Sequence, residues 1–123
     1  MTKKTILIVD DSTSLRAAVR IALDSAGYDV VEASDGQDAL GKLDGRKLHL
    51  VISDVNMPRL DGYGFVAAMT QKASYKYTPV VMLTTEDSAA KKERGREAGV
   101  KAWIVKPFQP PTLLNVVSKL VLP

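Results

Sequence analysis

Five side chains that can take part in chemistry occupy similar places in the sequence, each after a short apolar run. They are three carboxylates, one hydroxyl and one ammonium: Asp10, Asp11, Asp54, Thr84 and Lys106. Carboxylates that are brought close together repel one another, and they stay ionised only where a cation offsets their charge. Lys106 supplies one positive charge. Mg²⁺, which proteins hold through one or two carboxylates and water molecules, would supply more.

A group of this composition predicts phosphoryl-transfer chemistry. Mg²⁺ favours phosphate as its partner ligand. One carboxylate can attack a phosphoryl group while the metal and the lysine neutralise charge on the transferring oxygens. Such a transfer needs little beyond positioning and electrostatics. The helix that starts near residues 12–14 adds the positive end of its dipole to the same place.

The elements that must position these side chains are five predicted strands, at residues 6–9, 30–33, 50–53, 80–83 and 103–105. Their short, nearly continuous apolar runs are typical of strands that are buried on both faces. Five helical segments alternate with them, which predicts an α/β fold: a doubly wound, five-stranded parallel sheet with five helices. All strands of such a sheet end at one edge, where ligands bind. If the second strand is outermost, the other four strand ends converge there.

Apolar residues at helical spacing mark four of the five helices. The second begins near Asp35, and the fourth, at about residues 88–98, is polar, is interrupted by Gly95 and gives the weakest signal. The apolar positions are Leu15, Ala18, Val19, Ala22 and Ala26 in the first helix, Ala39, Leu40 and Leu43 in the second, Phe65, Val66 and Met69 in the third, and Leu113, Val116, Val117 and Leu120 in the last.

Composition limits the class of protein further. The 123 residues suffice for one domain, which we expect to span residues 1–123. No cysteine is present, which excludes disulfides and thiolate metal sites. The net charge of +3 is scattered and aromatic residues are few, so we expect no nucleic-acid binding. Without a signal-peptide stretch or an apolar run of about 20 residues, we expect a cytoplasmic protein with no membrane insertion.

Five short motifs give the chain a family resemblance. They are VDDS at residues 9–12, DVNMP at 54–58, DG at 61–62, LTTE at 83–86 and KPF at 106–108. Together and in this order they are similar to the receiver domains of two-component response regulators, and most of all to the single-domain, CheY-like chemotaxis regulators. Each motif alone is weak, but five in the right order, each at its strand or loop, are a strong signal over the whole chain. The resemblance implies the strand order 2-1-3-4-5.

The resemblance also implies a role for each member of the predicted site. Asp54 would be the phosphoacceptor, which forms an aspartyl phosphate. Asp11 would bind Mg²⁺ directly, with Mn²⁺ as a substitute, and Asp10 would bind it through water. Asp54 and the backbone carbonyl of Asn56 would complete the protein ligands. Lys106 would pair with a phosphoryl oxygen.

Further residues would form the switch. The Thr84 hydroxyl would move to the phosphoryl group after transfer, and the aromatic side chain on the fifth strand, here Trp103, would change rotamer in response. The readout face would be formed by the fourth helix, fifth strand and fifth helix. Asn56 and Glu86 would set the phosphoaspartate lifetime, and their identity implies a short one. Lys106–Pro107 would be a cis peptide bond.

The expected function is therefore a signalling switch, not an enzyme, although weak self-dephosphorylation is expected. A histidine kinase would donate the phosphoryl group, and chemotaxis through a flagellar motor switch protein would be the output. A phosphatase is a further expected partner, and the protein is expected to be monomeric. The alternative within the family is a phosphate sink, or a regulator of a kinase or of a second-messenger enzyme.

Two other functional classes are disfavoured. A haloacid-dehalogenase-type phosphatase needs a second aspartate two residues after its nucleophile, where this chain has Asn56. A flavodoxin-like FMN carrier needs a hydroxyl-rich phosphate loop after the first strand, and the paired acids there would repel phosphate. The G-x-G-x-x-A pattern at residues 62–67 is not a dinucleotide site, because a whole loop separates it from its strand.

The remaining basic residues of interest are a run of lysines and arginines and the single histidine, and neither is assigned to the predicted site. The run Lys91, Lys92, Arg94 and Arg96 is either a solvated helix face, which is the favoured interpretation, or a docking patch for an acidic partner. His49 precedes the third strand, far from the acidic strand ends, and is interpreted as an ordinary loop residue.

Overall fold

The sheet has the predicted architecture. The computed structural model describes residues 3–85, 96 and 99–121. It contains five strands: β1 (Thr5–Val9), β2 (Asp29–Ala33), β3 (Leu50–Asp54), β4 (Val80–Thr84) and β5 (Val100–Val105). All neighbouring strands are parallel, and their order is β2-β1-β3-β4-β5. The order that the resemblance implied is therefore confirmed, with β2 at an outer edge.

Four α-helices lie within the described part of the chain. They are α1 (Thr13–Ser25), α2 (Gly36–Gly41), α3 (Gly62–Thr70) and the C-terminal helix (Pro110–Leu120), and a short 3₁₀ helix covers Ala73–Tyr75. The predicted fourth helix falls on residues 88–98, of which only Arg96 is described. None of the described helices is long and apolar enough to cross a membrane.

Apolar clusters cover both faces of the sheet. One contains Phe65 and Met69 of α3, and the other contains Leu23 of α1 and Leu113 of the C-terminal helix. Because both faces are covered, every residue of β3 and β4 is buried. Each fully buried side chain of this size contributes roughly 1.5–3 kcal/mol. The two clusters therefore fix the central strands whose ends carry the predicted site.

Two details of the predicted elements were wrong. In α1 the buried face uses Val19, Ala22 and Leu23, whereas Ala18 and Ala26 are exposed. Leu23 was left out of the predicted face, although it follows Val19 by four residues and therefore lies on the same apolar stripe. β5 begins at Val100, three residues before the predicted start. As an edge strand it has exposed and half-buried residues between its buried ones, so it lacks the continuous apolar run that marks the central strands.

Side-chain caps fix where the helices begin. Ser12 caps α1 by accepting a hydrogen bond of 3.2 Å from the backbone N–H of Leu15. Asp35 caps α2, and Asp61 caps α3 through a bond of 2.7 Å from the N–H of Gly64. Such caps satisfy backbone donors that have no partner within the helix. Each of these helices therefore starts at a defined residue near the carboxyl edge of the sheet.

Candidate functional site

The strand register brings the predicted site residues to one edge of the sheet. Val9 pairs with Ser53, so Asp10 and Asp54 follow on adjacent strands. Asp54 is in register with Leu83, and Thr84 with Val105. Asp10, Asp54, Thr84 and Lys106 therefore lie on four successive strand ends, as the sequence predicted.

Three carboxylates and one ammonium form the centre of this edge. Asp10, Asp11 and Asp54 each present a carboxylate oxygen, and these oxygens all lie within 4.8 Å of one another. Nζ of Lys106 lies 3.1 Å from Oδ2 of Asp10 and 3.3 Å from Oδ1 of Asp54. Asp10 is fully buried and Asp54 is 7% exposed, whereas Asp11 is exposed. The lysine thus bridges the two buried acids, and the third faces solvent.

The surroundings of Asp54 disfavour its charge. Burial raises the pKa of its carboxyl above the usual range, and the negative charge of Asp10 raises it further. Lys106 opposes this rise through its charge and hydrogen bond, and the backbone N–H of Val55 does so as well. The net direction is upward, so one lysine does not fully offset the acids. A further cation would stabilise the ionised form of Asp54.

The donor set fits a hard divalent cation. The three carboxylates supply only oxygen ligands, which Mg²⁺ and Mn²⁺ prefer. Within the described residues, no other cluster of at least three acidic or histidine side chains meets this geometry. Asp11 makes no side-chain hydrogen bond or ion pair to any described residue, so its carboxylate is available to an ion. The site thus has the charge deficit and the ligand chemistry that such an ion requires.

Ser12 and Arg16, the second of which the sequence analysis did not single out, hold Asp10 in place. Nη1 of Arg16 donates a hydrogen bond of 2.5 Å to the backbone carbonyl of Asp10, and Nε of Arg16 lies 3.3 Å from Oε1 of Glu32. The N–H of Ser12 donates to Oδ1 of Asp10 at 2.8 Å. No sequence pattern predicts this contact of Arg16, because it depends on how α1 packs beside the end of β1.

Gly62 allows α3 to start against the end of β3. A Cβ atom at this position would lie 2.3 Å from the carbonyl oxygen of Asp54, a distance at which the backbone would have to shift. The N–H of Gly62 also donates to the carbonyl of Val55 at 2.8 Å. The close approach to Asp54 therefore requires a glycine at the start of α3.

The remaining predicted residues surround this centre. Thr84 is buried, and its carbonyl accepts a hydrogen bond of 2.7 Å from the N–H of Lys106. The peptide bond between Lys106 and Pro107 is cis. Asn56 is exposed at the start of the loop after β3. Glu86 lies outside the described residues.

Trp103 is half-buried on β5 and packs against the apolar cluster that contains Phe65. The guanidinium carbon of Arg96 lies 5.8 Å from the centre of its ring, within the range of a cation–π contact. Nε1 of Trp103 is buried and has no hydrogen-bond partner among the described residues. A buried donor without a partner costs free energy.

His49 has a structural contact that the sequence did not reveal. Its Nδ1 accepts a hydrogen bond of 3.0 Å from the backbone N–H of Thr5. Burial lowers the pKa of His49, and the nearby charges of Lys4 and Lys47 lower it further. His49 lies at the amino edge of the sheet, away from the acids, which agrees with its interpretation as an ordinary residue.

Comparisons with known proteins agree with this geometry. Residues 6–118 match the response regulator receiver domain. The chain is 36% identical over 113 residues to protein PilG of Pseudomonas aeruginosa, a match that covers 92% of this chain and 84% of PilG. Four other curated relatives, named as transcriptional regulators, are longer, and the chain spans less than half of each.

Solved structures give the same result. The chemotaxis protein CheY4 of Vibrio cholerae superposes with a TM-score of 0.93 at 44% identity, over 97% of this chain and 99% of CheY4. The receiver domain of the sensor histidine kinase PA1611 from Pseudomonas aeruginosa, described with a magnesium ion in its active-site cleft, has a TM-score of 0.88 at 23% identity and covers 98% of each chain. This chain therefore belongs to the family of response regulator receiver domains, which are signalling switches.

Proposed function

We propose that this protein is a phosphorylation-activated switch that accepts a phosphoryl group from a histidine kinase on Asp54. The observation that carries the proposal is the position of Lys106, whose ammonium lies 3.3 Å from Asp54 and 3.1 Å from Asp10 within a cluster of three carboxylates. A lysine at this place can pair with a phosphoryl oxygen once the group is on Asp54. If Lys106 had only a structural role, an ion pair with either Asp10 or Asp54 alone would be sufficient.

In the proposed transfer one bond to phosphorus forms and one bond to phosphorus breaks. An oxygen of the Asp54 carboxylate bonds to phosphorus while the bond between phosphorus and the donor's imidazole nitrogen breaks. That nitrogen keeps the electron pair and takes up a proton from water, so that neutral histidine leaves. Lys106 offsets the negative charge on the transferred oxygens. Burial of Asp54 keeps bulk water away from the acyl phosphate, which favours a defined lifetime.

Asp10, Asp11, Asp54 and the backbone carbonyl of Asn56 are the proposed ligands for Mg²⁺, with Mn²⁺ as a substitute. When bound, the ion offsets charge on the phosphoryl oxygens as a Lewis acid. The buried Asp10 and Asp54 fix one side of this ligand set, and the exposed Asp11 leaves the other side open to water and donor. The magnesium ion in the PA1611 receiver domain, which shares the fold, supports this assignment.

The proposed switch runs from Thr84 to Trp103. The Thr84 hydroxyl moves to the phosphoryl group, and the Trp103 ring changes rotamer in the space that opens. Nε1 of Trp103 is buried and has no hydrogen-bond partner within the described part of the chain, which supports a ring that can change orientation. The proposed readout face combines the predicted fourth helix with β5 and the C-terminal helix. Asn56 and Glu86 are proposed to set the lifetime of the aspartyl phosphate, which a weak self-dephosphorylation and a phosphatase would end.

The proposed output is chemotaxis through a flagellar motor switch protein, in the cytoplasm, by a monomeric domain of residues 1–123. The likeness to CheY4 supports this assignment. The alternative is a receiver that acts as a phosphate sink or regulates a kinase or a second-messenger enzyme. Binding to an isolated flagellar switch protein, measured with phosphorylated and unphosphorylated chain, separates the two. Phosphorylation-dependent binding supports the motor role, and none in either state excludes it.

Intact mass tests the phosphorylation itself. The chain is incubated with a small phosphodonor and Mg²⁺, with and without a chelator, alongside Asp54→Asn. The expected result is a gain of one phosphoryl group that needs both Mg²⁺ and Asp54. A folded wild-type protein that gains no mass would contradict the proposal.

Tryptophan fluorescence tests the proposed switch in the same samples. The emission of Trp103, the single tryptophan, should change on phosphorylation in wild type and Thr84→Ser but not in Thr84→Ala.

A further inference from the structure

We propose that Arg59 is a positioning residue for the cation site, because its ion pair with Asp35 holds the loop between β3 and α3 in place. This loop, residues 55–61, is called the site loop below. The inference rests on the proposed function, since the site loop supplies the Asn56 carbonyl. Neither the family motifs nor the acid cluster assigns a role to Arg59 or Asp35.

The backbone at Arg59 has an unfavourable conformation. Its φ angle is 68°, and no other residue with a side chain has positive φ in the described part of the chain. For a residue with a Cβ atom this conformation costs roughly 1–2 kcal/mol. Such conformations persist only where surrounding contacts determine them. We therefore expect the contact made by the Arg59 side chain to help hold the loop in this conformation.

That contact is an ion pair with Asp35 at the start of α2. Nε of Arg59 donates to Oδ2 of Asp35 at 2.8 Å, and Nη2 donates to the same oxygen. Exposed pairs between two freely moving side chains contribute little. Here, however, Asp35 is 4% exposed and its other oxygen accepts from the N–H of Asp38 at 2.8 Å. One partner is thus fixed before the pair forms.

Asp35 is a stable anchor because it remains ionised. The hydrogen bond from the Asp38 backbone lowers the pKa of its carboxyl, and the hydrogen bond from Arg59 lowers it further. The charge on Asp35 also complements the positive dipole end of α2. The pair therefore ties the site loop to the rigid start of a helix.

The loop is also held close to α2 and to β3 by two glycines. A Cβ atom on Gly36 would lie 2.5 Å from the carbonyl oxygen of Leu60, so the loop backbone packs directly on α2. At the other end, the N–H of Gly62 donates to the carbonyl of Val55 at 2.8 Å. The Arg59 pair adds a third point of attachment. Asn56 lies between these points, so the pair restricts where its carbonyl can be.

This placement matters because Mg²⁺ requires nearly ideal octahedral geometry. A ligand carbonyl on a loose loop must be ordered when the ion binds, and that cost lowers affinity. Loss of the pair should therefore weaken Mg²⁺ binding without touching any carboxylate of the site. Groups outside the ligand shell often change metal affinity about tenfold or more.

The test uses four variants of the full chain. Arg59→Gly removes the pair and adopts positive φ without strain, so the fold should not be lost. Asp35→Ser keeps a side chain that caps helices well but removes the charge. The double variant combines them, and Arg59→Lys restores the charge. Arg46→Ala is the matched control, because Arg46 makes a similar pair with Asp44, at 2.9 and 2.7 Å, near the opposite edge of the sheet.

Two measurements are made on each variant: amide hydrogen exchange of residues 55–61 without metal, and the dissociation constant of Mg²⁺ by titration calorimetry. We expect faster exchange and roughly tenfold weaker Mg²⁺ binding in Arg59→Gly and in Asp35→Ser. The double variant should bind no more weakly than the weaker single variant, because the two act as a unit. Arg59→Lys should recover part of the affinity, and Arg46→Ala should match wild type.

The proposal would be overturned if Arg59→Gly had the same amide exchange rates and the same Mg²⁺ affinity as the wild type. Phosphorylation of the wild type by a small phosphodonor is followed in parallel, so the two hypotheses can fail separately. A wild type that is phosphorylated, with Arg59→Gly unchanged, rejects only the role of Arg59. A wild type that binds no Mg²⁺ overturns both the proposed function and that role.

Discussion

Nζ of Lys106 lies 3.3 Å from Oδ1 of Asp54, although the two residues come from non-adjacent strands with β4 between them. The backbone N–H of Lys106 bonds to the Thr84 carbonyl at 2.7 Å, which fixes where the lysine leaves β5. Its side chain then extends across the end of β4 to reach the buried acids. This geometry places a fixed positive charge where the proposed transfer develops negative charge.

Replacement of this charge should slow the reaction. Lys106→Met should lower the rate of phosphorylation by a small phosphodonor by about tenfold to a thousandfold, because a preorganised charge at the transferring group is lost. It should also raise the pKa of Asp54 further, since Lys106 opposes that rise. Phosphorylation kinetics and carboxyl NMR titration measure the two effects. Lys119→Met, an exposed lysine of the C-terminal helix, is the control, and equal rates in both variants would contradict the role of Lys106.

The raised pKa of Asp54 predicts a specific dependence of stability on pH. Because the folded state holds this proton more tightly than the unfolded state, the free energy of unfolding falls as pH rises from the ordinary carboxyl pKa to the raised one. Asp54→Asn removes this loss, so in metal-free buffer the variant should be more stable than wild type at neutral pH. Urea unfolding of both proteins from about pH 3 to about pH 8 checks this. A difference that does not change with pH would be inconsistent with the burial argument.

Gly62 and Gly41 make a matched pair of helix glycines. Gly62→Ala places a Cβ atom 2.3 Å from the Asp54 carbonyl oxygen, whereas Gly41 has open space around the same position. We expect Gly62→Ala to destabilise the fold by about 2 kcal/mol or more. Gly41→Ala should be neutral or stabilise by up to about 1 kcal/mol, because alanine favours helix. Equal unfolding free energies for the two variants would show that α3 can move away from β3 freely.

Asp11 separates metal binding from folding. It is exposed and has no partner among the described side chains, so Asp11→Asn should not lower the metal-free melting temperature, and the loss of repulsion with Asp10 and Asp54 should raise it slightly. Mg²⁺ at ten times its dissociation constant should stabilise wild type by about 1.4 kcal/mol and raise its melting temperature. The variant should lose most of that rise, and thermal unfolding with and without Mg²⁺ tests both statements. A full Mg²⁺ shift in Asp11→Asn would remove Asp11 from the ligand set.

The central part of the fold was predictable from the sequence because β1, β3 and β4 are buried on both faces. Their continuous apolar runs located them within one residue at each end. The first three residues of β5 were missed because the exposed Lys101 interrupts the apolar run there. Local pattern thus identifies strands well where burial is complete and less well where it alternates.

The residues of the site could be predicted because the strands that carry them could be located. Asp10, Asp54 and Lys106 lie at strand ends, so their convergence follows from a parallel sheet once the strand order, which the resemblance implied, is added. Arg16 and Arg59 were not predicted, because each makes its contact through a turn whose direction depends on packing. Their partners, the Asp10 carbonyl and the Asp35 carboxylate, come from other elements. Sequence pattern identified the residues at the strand ends but not those that hold them in position.

The central claim is that the phosphoryl group resides on Asp54, and chemical trapping tests it most directly. The protein is treated with a small phosphodonor and Mg²⁺, and borohydride then reduces any aspartyl phosphate to homoserine. Peptide mass spectrometry locates the product. Our account predicts homoserine at position 54, in the Mg²⁺ sample and not in the chelated one. Homoserine at position 10 or 11, or at no position in a folded and metal-bound protein, would contradict it.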